Sequence, residues 1–120
     1  MIAKDILTTV LPIILTMLII SCDVKPEKTF PDEYKAGQIV FHKFCANCHG
    51  PDAMGGNKAP KLVQDKFAPE IYSNEKIART ILNGSSSGAM PSQKGKVSDL
   101  EIKQIIKYLR YSQITYKASL

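Results

Sequence analysis

An all-α domain of three to four helices is what this sequence predicts, and three observations carry that reading. Around residues 34–48 and 97–109 the apolar positions recur three or four apart, the period of a helix rather than of a strand. Ser98-Asp99-Leu100-Glu101 is a capping-box pattern, in which Ser98 and Glu101 satisfy each other's free backbone N–H groups at a helix start. No stretch of the domain alternates long enough to pair as a sheet.

Residues 1–21 stand apart from that domain. Ile6 to Ile20 is apolar apart from Thr8, Thr9, Pro12 and Thr16, with Lys4 ahead of it and Ser21-Cys22 behind. A short basic start, about 15 apolar residues and a small residue read as a secretory signal. The competing reading is an uncleaved anchor, which needs roughly 20 apolar residues. Asp23 to Phe30, DVKPEKTF, reads as a polar linker. Fully extended, such a segment reaches at most about 28 Å, which leaves the domain tethered but able to turn.

The first helix is expected from near Pro31, with Thr29 as its N-cap and Asp32 and Glu33 favouring its positive start. Tyr34, Gln38, Phe41, Cys45 and Cys48 share one face, and Gly37 on that face lets another helix approach closely. Glycines and prolines make Gly50 to Pro60 a loop. A middle helix is expected over Asn74 to Leu82, capped by Ser73 and stopped by Asn83-Gly84, followed by a Gly- and Ser-rich loop to Lys96. In the last helix Val97, Leu100, Ile105, Tyr108 and Leu109 form the expected apolar stripe.

About 90 residues follow Phe30, a length whose modest core often depends on a disulfide, metal or cofactor. The net charge is +5, and removing residues 1–21 leaves it unchanged because Lys4 and Asp5 cancel. No basic run with interleaved aromatics appears, so nucleic acid is not an expected partner. An acidic protein or an anionic membrane surface suits the charge better.

Chemistry concentrates at Cys45-Ala46-Asn47-Cys48-His49, a C-x-x-C-H pattern of the kind that attaches haem c. Two cysteines three apart lie within one helical turn, so both sulfurs reach one edge of the ring, and the next residue can bind the iron. A thiol–disulfide pair and half a zinc site are the competing readings. The first expects a βαβ pattern nearby, and the second usually needs four Cys or His ligands. Only His42 could join the three residues of the motif, at poor spacing, and it reads as an exposed surface histidine. With one haem on Cys45 and Cys48, the cofactor itself supplies the apolar centre that so short a chain lacks.

From these residues the chain resembles class I c-type cytochromes over most of residues 32–111. The resemblance implies a cytochrome c fold and one covalent haem c. Gly37 and Phe41 resemble the family's first helix, and Tyr108-Leu109 its partner in the last. Ala59-Pro60-Lys61-Leu62 resembles the segment whose proline carbonyl accepts the hydrogen bond of the ligand histidine. Pro60 is thus the expected acceptor for His49, and Leu62 a packing residue on the haem face. Ala89-Met90-Pro91 resembles the loop that delivers an axial methionine. Met90 is the expected sixth ligand beside His49, and Pro91 biases it toward extended backbone. Met54, five residues after His49, is the rival.

Ile19-Ile20-Ser21-Cys22 resembles the lipobox of bacterial lipoproteins, in which the signal is cut before a cysteine that receives a diacylglycerol. The expected organisation is a lipoprotein signal peptide over residues 1–21, a lipid-anchored linker over 22–30 and a cytochrome c domain over 31–120. The expected function is a membrane-tethered carrier of single electrons on the extracytoplasmic, periplasmic face, and not an enzyme. Lys43, Lys58, Lys61, Lys94 and Lys96 flank the two loops and would steer an acidic redox partner. A haem subunit of a larger complex, or a gas-binding or catalytic haem should Met90 not bind iron, are the alternatives.

Overall fold

A computed structural model describes residues 23–120. The signal segment and Cys22, with the readings of cleavage and lipid attachment, lie outside the described residues. The chain folds as α1 (Asp32–Phe44), α2 (Ala46–His49), α3 (Asn74–Asn83) and α4 (Asp99–Ala118), with 3₁₀ turns at Pro51–Ala53 and Asp65–Phe67. Among the described residues there is no strand.

Local signals set the helix ends. Ser98 Oγ accepts from the Glu101 N–H at 3.2 Å while Glu101 Oε2 accepts from the Ser98 N–H at 2.8 Å, the reciprocal pair that the sequence predicts. Ser73 caps α3 by accepting from Lys76 N, and the helix runs one residue past Leu82. At α1 the expectation fails. The cap position belongs to Pro31, which offers no side-chain acceptor, and Thr29 lies two residues too early to take part. Asp32 and Glu33 in the first turn still oppose the positive helix end.

The crossing of α1 and α4 is the centre of the fold. A Cβ on Gly37 would sit 2.1 Å from the Gln104 carbonyl oxygen and 2.7 Å from Tyr108 Cβ, so only glycine permits this approach. Phe41 and Tyr108 meet there, 1% and 0% exposed, with ring centroids 5.3 Å apart. Burying each such ring contributes about 2–3 kcal/mol by the area removed from water. Leu100, expected in the stripe, is exposed, and Ile102 is buried in its place. The two residues lie about 200° apart around the helix, so only one of them can face α1.

The segment before α1 also departs from expectation. Phe30 is buried, with its ring centroid 5.0 Å from that of Tyr108 and 5.6 Å from that of Tyr111. The backbone N–H groups of Glu27 and Lys28 both donate to Asp52 Oδ2, at 2.7 and 2.8 Å. Residues 27–30 are therefore docked on the domain, because a buried ring and two charge-assisted hydrogen bonds hold them, and the freely turning linker is shorter than expected.

Candidate functional site

α1 ends at Phe44 and α2 begins at Ala46, so Cys45 sits at the bend between them, its N–H still bonded to the Phe41 carbonyl. The His49 N–H bonds back to the Cys45 carbonyl at 3.0 Å, closing one turn that carries both sulfurs and the imidazole. Cys45, Cys48 and His49 line one cavity of about 560 Å³, a size usual for small-molecule and cofactor sites. Phe41, Leu62, Ile105 and Leu109 give it apolar walls. Pro60 and Met90 line the same cavity. Met54 is absent from its lining and lies 3.7 Å from Lys28 Nζ. A second hollow, of about 480 Å³, lies on another face of α4 beside Tyr34, Lys103 and Lys107, and no cysteine or histidine lines it.

Burial pushes the Cys45 thiol up to about 12, with a smaller contribution from the neighbouring Cys48. A thiol so held stays protonated at neutral pH, which does not suit a thiol–disulfide nucleophile. Among the described residues no group of three or more His, Cys, Asp and Glu side chains is placed to hold a metal ion between them. Thioether attachment needs no standing thiolate, so the geometry fits a covalently held haem and disfavours the two rival readings.

His49 is 9% exposed, and its Nδ1 lies 3.0 Å from the Pro60 carbonyl oxygen. A carbonyl only accepts, so Nδ1 carries the proton and Nε2 is the nitrogen left for a metal. Opposite bonds hold the Met90 backbone: its N–H donates to Ser85 Oγ at 3.0 Å, and its carbonyl accepts from the Ser85 N–H at 3.0 Å. Gly84, at φ 81°, makes this return possible, since a Cβ there would meet the Met90 carbonyl at 2.6 Å. Ser92 Oγ bonds the Leu82 carbonyl, and the Gln93 N–H bonds that of Ile81, fastening the loop to the end of α3.

Several contributing residues carry no sequence motif. Gln113 Nε2 donates to the Leu62 and Phe67 carbonyls, each at 3.0 Å, so α4 fixes the segment that brings Leu62 to the cavity. His42 is not exposed as expected; its side chain is 6% exposed. Its Nδ1 donates to the Gln38 carbonyl at 2.7 Å, which leaves Nε2 to accept the Asp52 N–H at 3.1 Å. Nε2 also lies 3.6 Å from Asp52 Oδ1, but a nitrogen that accepts an N–H carries no proton, so this contact is not an ion pair. An aspartate just after the motif, in a Gly- and Pro-rich loop, is the one sequence signal that could have pointed here, since Asp tolerates left-handed backbone. Lys43, Lys58, Lys94 and Lys96 are exposed and Lys61 is half-buried, with Lys58 on the cavity rim.

Residues 32–109 match the family model described as cytochrome C oxidase, cbb3-type, subunit III. The chain is 30% identical over 81 residues to cytochrome c6 of Euglena viridis, covering 65% of this chain and 90% of that protein. It is 28% identical over 86 residues to the quinohemoprotein alcohol dehydrogenase ADH IIB of Pseudomonas putida, covering 71% of this chain but only 12% of that enzyme. The crystal structure of the c-type cytochrome XoxG from Methylobacterium extorquens AM1 superposes with a TM-score of 0.57 at 25% identity, over 68% of this chain and 50% of that one.

Proposed function

This chain belongs to the cytochrome c family, a monohaem c-type cytochrome that transfers electrons, and from that premise we propose that it is a membrane-tethered carrier between extracytoplasmic redox partners. The observation that carries the reading is the single cavity lined by Cys45, Cys48, His49 and Met90. Cys45 and Cys48 would hold haem c through thioether bonds, and His49 Nε2 and the Met90 sulfur would bind its iron. The bound haem supplies a one-electron couple, whose potential a Met/His pair raises. Pro60 orients His49 and keeps its proton on Nδ1. Leu62, Leu109 and Ile105, apolar residues of the cavity wall, would keep water from the bound group. With His49 and Met90 both holding the iron, no open position would remain for a substrate, which favours a carrier over an enzyme.

Cys22 would carry the lipid, with residues 1–21 removed. Among the described residues no helix is long and apolar enough to cross a membrane. Exposed Lys58 on the cavity rim supports docking of an acidic partner, and electron-transfer rates should then fall steeply with salt. A flat salt response would remove that part of the reading.

A fixed place in a larger oxidoreductase is the second reading, favoured by the match to a short part of the Pseudomonas putida dehydrogenase. Co-purification after mild detergent extraction distinguishes the two. The main test is the spectrum of the matured protein. A low-spin reduced form is expected, and in the oxidised form a sulfur–iron(III) absorption band that Met90→Ala abolishes. High-spin iron that binds carbon monoxide at once would overturn the axial assignment. Intact mass of the membrane-extracted protein should show signal loss, one diacylglycerol-based lipid and one haem together.

A further inference from the structure

Asp52 is buried to 2% exposure three residues beyond His49 and lines neither of the two cavities. Its carboxylate accepts four hydrogen bonds. Oδ2 takes the N–H groups of Glu27 and Lys28, while Oδ1 takes Gln38 Nε2 at 3.0 Å and the Tyr108 hydroxyl at 3.1 Å. Its own N–H goes to His42. One side chain thus joins the docked N-terminal segment, α1 and α4 to the loop that leaves His49. That loop is conformationally demanding: Asp52 and the fully buried Ala53 both take left-handed backbone, at φ 53° and 62°. Two successive non-glycine residues there persist only where their surroundings over-determine them.

Among the described residues no lysine or arginine pairs with the Asp52 carboxylate. Burial pushes its ionisation upward, but the bonds from Gln38, Glu27, Lys28 and Tyr108 outweigh that and hold it below the ordinary carboxylate range. At neutral pH it is a buried anion with dipoles, not a counter-ion, around it.

We propose that Asp52 is a positioning residue for the haem, clamping the loop behind His49 to the N-terminal segment, and that its uncompensated negative charge lowers the reduction potential. The inference rests on the reading of His49 as the iron ligand. The oxidised centre carries one more positive charge than the reduced one, so a nearby anion in a low-dielectric site favours the oxidised form.

The sign separates this role from a merely structural one. A loop that only loosened would admit water, which stabilises the more charged form and lowers the potential. Removing the anion raises it. Asp52→Asn keeps a neutral oxygen for the Glu27 and Lys28 N–H groups, and the Tyr108 hydroxyl can turn to accept from the new amide, but that amide faces Gln38 Nε2 donor to donor, so the clamp weakens. Gln38→Lys is the second variant, because an ammonium there can donate to both Asp52 Oδ1 and the Lys28 carbonyl that Gln38 now serves. It neutralises the charge while leaving the clamp in place.

The experiment is redox titration of the matured full chain and of both variants, with spectra and limited proteolysis of residues 23–30. In each variant that matures, the ratio of oxidised to reduced protein at fixed ambient potential is expected to fall by up to about tenfold, equivalent to about 59 mV for one electron. Cleavage before Phe30 should quicken in Asp52→Asn and stay slow in Gln38→Lys. An unchanged or lowered potential, with low-spin spectra intact, overturns the proposal and leaves the ligand assignment standing. Should the unmodified protein itself lack a low-spin spectrum, the reading of His49 and Met90 fails instead.

Discussion

The two loops that meet at the cavity are built from different materials. Behind His49, Gly50, Asp52 and Ala53 are buried, and the loop hangs on a carboxylate inside the α1–α4 crossing. Around Met90, residues 86–89 are exposed, and the loop hangs on serine hydroxyls and backbone turns at the end of α3. Charge-assisted bonds in a dry interior are individually strong and costly to break, whereas hydroxyl bonds at a wet surface have water as a ready substitute. The difference teaches an order of events. Under stress the Met90 side should open first, with His49 and the thioether-bearing turn still in place.

The largest break in that comparison is Asp52→Ala. It strands two backbone donors and the Tyr108 hydroxyl, and leaves Gln38 Nε2 only its bond to the Lys28 carbonyl. Each buried donor left unpaired costs about 1–3 kcal/mol, and denaturant unfolding of the matured protein should show that loss. Acid tests the same network. A carboxylate whose folded pKa is depressed contributes stability that is present above its unfolded value, about 4, and lost as pH falls through the lower folded value. Stability of the unmodified chain should therefore drop more steeply below about pH 4 than that of Asp52→Asn. Equal slopes would show that Asp52 is not the group responsible.

Next in size is Gly37→Ala. The added methyl meets the Gln104 carbonyl oxygen at 2.1 Å, so backbone must shift rather than a flexible side chain. A loss of about 3 kcal/mol is expected, read as a lower Tm. Because Tyr108 lies at this contact and also binds Asp52, the His49 side should suffer with the crossing while the Ser85–Met90 bonds survive.

What the sequence discloses follows the same division. Local signals were legible: the haem-attachment pentapeptide, the Ser98–Glu101 box, the Ser73 cap, and the offset of 11 residues that brings Pro60 to His49. Each is settled within one turn or one loop. Asp52, His42 and the docked segment were not legible, because the bonds that define them join residues 10 to 56 positions apart. Nothing in DVKPEKTF says that its backbone will be captured by a carboxylate 25 residues later. His42 reads as a surface histidine until α1 and the Asp52 loop close around it. Leu100 shows the opposite limit. Its apolar character suggested burial, but the rotation of α4 is set by Gly37 and Phe41 on the facing helix.

The smallest expected effect is the sharpest probe of the comparison. Ser85→Ala removes the hydroxyl that accepts the Met90 N–H but keeps the Ser85 N–H that serves the Met90 carbonyl. Half of the backbone clamp is lost at a position where water can take over, so global stability should fall by only about 0.5–1.5 kcal/mol. The local consequence is larger in kind. If Met90 binds iron, the sulfur–iron(III) band should disappear at a lower denaturant concentration than in the unmodified chain, while the helical signal is still native. In Asp52→Ala the band and the helical signal should instead be lost together, because the His49 loop is part of the α1–α4 core and cannot open alone. A Ser85→Ala protein that loses both signals in one transition would mean that the two loops are a single cooperative unit, and the contrast between buried carboxylate and surface hydroxyl would have no mechanical meaning.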